Sequence, residues 1–146
     1  MELARRSPDS TARGWFASLA NNMGWARHDA GSYEDALELF QLALAERRRE
    51  GRPAEVRIAR WSVARCLRSL GQVEEALAEQ AALLAELDEL GKTDGCVHEE
   101  IGECLLALVG PHETAASFAR AFELLSPSLA ASDSERLARL RQLGGS

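Results

Sequence analysis

GWARHDAGSYEDALELFQLAL, residues 24–44, places one glycine inside an apolar-periodic run and a second glycine seven residues later. Small and large apolar residues then recur at helical spacing. Read alone, this is a helix, a turn and an amphipathic helix. The same order returns in ARCLRSLGQVEEALAEQAALL, residues 64–84, without a gap and at an offset of 40. Gly31 then falls on Gly71, Tyr33 on Val73, Ala36 on Ala76 and Leu44 on Leu84. A third, weaker copy, GECLLALVGPHETAASFARAF, residues 102–122, lies at an offset of 78, with Gly102 on Gly24, Phe118 on Phe40 and Thr114 where Ala36 stands. Repetition at this period means stacked supersecondary units.

The logic of the unit is physical. Gly24, Ala64 and Gly102 are small residues in mid-helix, where a second helix can approach closely, and Gly31 or Gly71 supplies positive φ at the end of the first helix. The second helix packs back through Ala36, Phe40, Ala43 and Leu44, or through Ala76, Leu77, Leu83 and Leu84. Each hairpin has one apolar face too many to bury alone, and stacking the next copy covers it.

Composition agrees. The 146 residues suit one domain with its own core, and aromatic residues are only 5%. Alanine, leucine, glutamate and arginine dominate and β-branched residues are few, which favours an all-α fold. Twelve arginines against nine acids leave residues 1–73 at +3, while five basic against 14 acidic residues leave the remainder at −9. That polarity disfavours nucleic acid for the second half and suits partners, or further copies, of opposite sign. The alternative is charge on solvated helix faces.

Cys66, Cys96 and Cys104 are an odd count without a secretory leader, which argues against a disulfide framework. They read as small packing residues. No segment reaches the length of a membrane span, and the chain is expected in the cytoplasm without a membrane partner.

The pattern resembles the tetratricopeptide repeat, with Gly24, Ala36, Phe40 and Ala43 matching its small, alanine, aromatic and alanine positions. Three units would cover residues 17–50, 57–90 and 95–128 of a single domain spanning 1–146. Arg27, Arg60, Gln80 and His98 depart from the usual aromatic or large apolar residues. The resemblance implies a right-handed α-α superhelix of three hairpins. The wide first spacing predicts a second helix running to about Glu50 and a third starting at Pro53.

At the start, SPDSTARGWF predicts a helix beginning near Ser10 that carries Trp15 and Phe16 across the N-terminal face. SDSERLARLRQL predicts a closing helix over about 133–143, with a capping box from Ser132 to Glu135 and an apolar line at Leu137, Leu140 and Leu143; Gly144 and Gly145 are expected to fray.

In tetratricopeptide folds the first helix of each unit lines a concave groove. Carried across, that places Ser18, Asn21, Asn22, Trp25 and His28 there from unit one. Ile58, Trp61, Ser62, Arg65 and Arg68 follow from unit two; Cys96, Glu99, Glu100, Glu103 and Leu106 come from unit three. Residues 21, 25 and 28, or 61, 65 and 68, share one helix face on periodicity alone.

Trp25 and Trp61 read either as anchors for a partner or as fillers beneath another helix. Arg65 and Arg68 suit carboxylate or phosphate, or alternatively pair with Glu99, Glu100 and Glu103. Families that clamp the carboxyl terminus of heat-shock chaperones use basic and amide residues where this chain has Asn21, Trp25, Ser62, Cys96 and Glu100, so that ligand is not expected.

Cys96, His98 and Glu100 lack a second Cys/His pair for a metal, and no phosphate loop, nucleophile elbow or paired-carboxylate pattern is present. The sequence therefore predicts a non-enzymatic protein-binding module, without cofactor, whose ligand is a peptide or helix of another protein. Two alternatives stay open: a chaperone like those of type III secretion, shielding a hydrophobic client, and a self-associating scaffold.

Overall fold

The structure, a computed structural model, describes residues 10–128 and 133–145, with side chains from Trp15 onward. Seven α-helices and one 3-10 turn make up the described residues, and the fold is all-α. They are α1 (Ser10–Asp29), α2 (Tyr33–Glu50), α3 (Pro53–Ser69), α4 (Val73–Glu89), α5 (Gly95–Leu108), the turn Pro111–Glu113, α6 (Ala115–Leu125) and α7 (Ser134–Leu143). The chain gathers into two compact units, one ending at Gln72 and the other starting at Val73. The boundary falls at the change in charge. None of the described helices is long and apolar enough to cross a membrane.

Helix ends follow the glycines. Gly31 has φ +82°, and the amides of Gly31 and Ser32 donate to the carbonyls of His28 (3.0 Å) and Arg27 (2.8 Å). Forty residues on, Gly71 has φ +84°, and the amides of Gly71 and Gln72 donate to Arg68 (3.0 Å) and Leu67 (2.9 Å). The same left-handed cap thus closes α1 and α3. The third copy has Val109 at this place, and a β-branched residue resists positive φ. The left-handed step passes to Gly110 (φ +97°) and the Pro111–Glu113 turn is inserted, so α6 starts only at Ala115. Thr114, fully buried, donates its hydroxyl to the Pro111 carbonyl at 2.9 Å.

In the first unit α1, α2 and α3 pack around Ala36, Phe40 and Cys66, with Trp25, Tyr33 and Val63 at the margin. Gly24 sits directly against Phe40: a Cβ there would come within 2.7 Å of the ring. In the second unit Gly102 meets Phe118 in the same way, with a Cβ 3.0 Å from the ring. Phe118, Ala121 and Leu125 of α6 join Leu140 of α7 in one cluster. The contact has repeated at the offset of 78 seen in the sequence.

In the middle copy both members change, to Ala64 and Gln80. Gln80 is wholly buried and neither amide atom has a hydrogen-bond partner among the described residues. An unsatisfied buried amide costs about 1–3 kcal/mol. Gln80→Leu, close in size and without polar atoms, should therefore raise the denaturant midpoint at unchanged slope, and an unaltered or lowered midpoint would contradict this reading.

Helix α2 ends at Glu50, α3 opens on Pro53 and α7 covers 134–143, as the sequence suggests, and α1 is helical from the first described residue, Ser10. Pro8 and Ser132, read as punctuation before α1 and α7, lie outside the described residues. Phe16 is buried but Trp15 is exposed. At Gly144, where fraying is expected, the amide donates to the Leu140 carbonyl at 2.9 Å, and a Cβ there would lie 2.9 Å from the Ala119 backbone. Glycine lets the end of α7 rest on α6.

Candidate protein-binding face

The first unit brings the first helices of two successive copies together. Trp25 of α1 and Trp61 of α3 stand with ring centroids 6.0 Å apart. Trp25 also packs edge-on against Phe40 (4.8 Å) and His28 (5.3 Å), so its ring is tied into the core below. Both indoles are half-buried. They form a floor, and each retains an exposed part.

His28 is wedged between Trp25 and Tyr33, whose ring centroid lies 4.9 Å away, and its Nε2 is 2.7 Å from Ser69 Oγ. Arg65 Nη1 donates to the same Ser69 oxygen at 2.7 Å. With one lone pair taken by Arg65, the Ser69 hydroxyl can give its proton to a neutral imidazole. Burial is the main cause that lowers the His28 pKa, followed by repulsion from Arg65; Arg68 adds to it, and Asp29, with a carboxylate oxygen 3.9 Å from Nδ1, opposes it.

The sign follows directly. A histidine whose folded pKa lies below the unfolded value of about 6.5 stabilises the fold fully above that pH and loses the contribution as pH falls through the folded value. His98 in the second unit is displaced the same way, by burial and then by Arg120. The melting temperature should therefore fall between about pH 7 and pH 5, and less steeply in His28→Gln. Equal slopes for wild type and variant would contradict the assignment to His28.

Of the residues proposed from sequence, Asn22 is exposed, while Asn21, Trp25, His28, Trp61, Arg65 and Arg68 are half-buried in the first unit. Glu99 and Glu103 belong to the second unit, on α5, where arginines of α7 engage them. Arg136 grips both Glu99 oxygens, Nε at 3.0 Å and Nη2 on the other, and Arg139 Nη2 donates to Glu103 at 2.7 Å. The two carboxylates are thus paired with the closing helix.

Ile58, expected in the groove, and Trp15, expected on the N-terminal face, extend the stripes of Trp61 and Trp25. Trp15 (59% exposed) and Ile58 (57%) are the most exposed large apolar side chains of α1 and α3. They fall in register with the indoles: 15, 18, 22 and 25 on α1, and 58, 61, 65 and 68 on α3, follow the same helical spacing. Extending that line past Trp25 by three turns would have found Trp15.

None of the described residues forms a cluster of three or more His, Cys, Asp or Glu able to hold a metal ion. None of the three cysteines is in a disulfide. Cys66 donates its thiol proton to the Tyr33 carbonyl at 3.3 Å, and burial raises its pKa. No protein-family model matches the chain, and no curated protein matches it.

Proposed function

We propose that this chain is a tetratricopeptide-like interaction module, an α-α superhelix of three hairpins that binds a peptide or helix of a partner protein, and that binding itself is its activity in the cytoplasm. The observation that carries this reading is the contact of Trp25 with Trp61, which joins two first helices one repeat apart. Further along the same helical stripes lie the exposed Trp15 and Ile58. Aromatic anchors of this kind concentrate binding energy.

Asn21 and Asn22 offer amides to a ligand backbone, Trp25 and Trp61 form the apolar floor, and Arg65 and Arg68 select charge beside His28. Glu99 and Glu103 contribute to ligand binding only at the expense of their ion pairs with Arg136 and Arg139.

The test uses the full chain as bait in extract of its native cell, beside the double variant Ile58→Asp, Asn22→Arg. Both positions are exposed, so the variant should keep wild-type stability to within about 0.5 kcal/mol while losing capture by at least about tenfold. Capture that is unchanged in a folded variant would overturn the assignment of this face.

A further inference from the structure

The end of this face nearest Trp15 has a cationic rim. Arg47 Nη2 donates to Ser18 Oγ at 3.0 Å, one turn along α1 from Trp15, which ties the end of α2 to the stripe. The segment ERRREGR, residues 46–52, holds four arginines and two acids, and both acids are turned inward. Glu46 accepts from Arg49 at 2.8 Å and Glu50 accepts from Arg47 and Arg52 at 3.1 and 3.0 Å, with the two carboxylate side chains only 1% and 5% exposed. The guanidinium side chains of Arg49 and Arg52 remain 54% and 61% exposed, and Arg48 is exposed beside them. The corner therefore shows cations outward, and the Arg47–Ser18 contact sets it one helical turn from the exposed Trp15.

The second unit carries a surface of matching chemistry. Helix α4, VEEALAEQAALLAELDE, has six acids and no basic residue. Ala78, Ala81, Ala82 and Ala85 lie on one exposed stripe, bordered by the exposed Glu75 and Glu79. Small side chains let another helix or an indole approach closely, and the flanking carboxylates carry the charge that complements arginines. Leu90, just beyond the helix, is half exposed.

We infer that the partner received at the Trp15 and Ile58 end of the face is a second copy of this chain, seated through the alanine stripe of its α4 with Glu75 and Glu79 against the arginine corner. This rests on the reading of the α1 and α3 face as a protein-binding surface and names its occupant. The +3 and −9 halves then meet head to tail. Such a contact is heterologous: each copy keeps one unused surface of each kind, so assembly proceeds to rings or open chains.

Light scattering on the full chain at high protein concentration tests it. At about 0.01 M salt, where the screening length is about 30 Å, the mass should exceed the monomer, and it should fall to the monomer near 1 M, where it is about 3 Å. Ile58→Asp should weaken association at least about tenfold. Glu75→Arg with Glu79→Arg on one chain, and Arg48→Glu with Arg52→Glu on another, should each give monomers that melt cooperatively. Mixing the two should restore the larger species, since each acidic surface again faces a basic one.

A wild-type chain that is monomeric at low salt overturns the inference, as does a mixture that stays monomeric. If the chain is monomeric but still captures a cellular protein in a manner that needs Ile58, the face binds something else and only its occupant was misjudged. If neither self-association nor Ile58-dependent capture is found, the reading of the face fails with it.

Discussion

Phe40→Ala lowers the stability of the first unit by about 3–5 kcal/mol, the range for removing a fully buried aromatic ring. Phe40 is 1% exposed and holds α2 against both Gly24 and Trp25, so its loss opens a cavity where α1, α2 and α3 meet. The partner substitution is more telling because two rules oppose each other. On helix propensity, Gly24→Ala should gain about 1 kcal/mol. On packing it should lose: the new methyl would sit 2.7 and 2.8 Å from Phe40 Cε1 and Cδ1, and the ring is buried and itself packed against Trp25. Overpacking of this kind costs about 1–3 kcal/mol, so the net effect is destabilising. Gly24→Ala combined with Phe40→Leu should recover part of the loss, with a coupling beyond about 0.5 kcal/mol in a double-mutant cycle. A stabilised Gly24→Ala variant would contradict the close approach.

Leu140→Ala should cost about 2–5 kcal/mol and release α7. Leu140 is the buried residue of that helix, 1% exposed, and lies in the cluster with Phe118, Ala121 and Leu125. The ion pairs of Arg136 and Arg139 are 35% and 53% exposed on the arginine side and are too weak to hold the helix without it. Amide exchange over residues 134–143 should then approach that of an unstructured segment while α1 to α3 keep their protection. Unchanged protection of α7 would show that the ion pairs suffice.

The sequence was most legible where one residue has one job. Gly31 and Gly71 marked the ends of α1 and α3 because left-handed backbone excludes most other residues. Gly102 aligns with Gly24 and Phe118 with Phe40, and in the fold each glycine meets the phenylalanine of its own copy. Legibility failed where a residue answers to a partner distant in sequence. Nothing in Glu99 or Glu103 announces that Arg136 and Arg139 reach them, since both arginines lie on a helix outside the repeat. Gly144 reads as a frayed end until Ala119 is seen beneath it.

At the candidate face, periodicity grouped residues 21, 25 and 28 and residues 61, 65 and 68, and the resemblance set the two helices side by side, but neither told how deep each side chain would lie. Trp25 is drawn inward by Phe40 and His28, and the greater exposure falls to Trp15 and Ile58. Burial depends on what the neighbouring helix supplies, and a single helix face does not encode it.

Amide hydrogen exchange on the full chain, alone and with its captured partner, tests the central claim most directly. Binding at the aromatic face predicts slower exchange in residues 15–28 of α1 and 58–68 of α3, with α5 to α7 unchanged. Protection confined to α5, α6 or α7, with α1 and α3 unaffected, would contradict it.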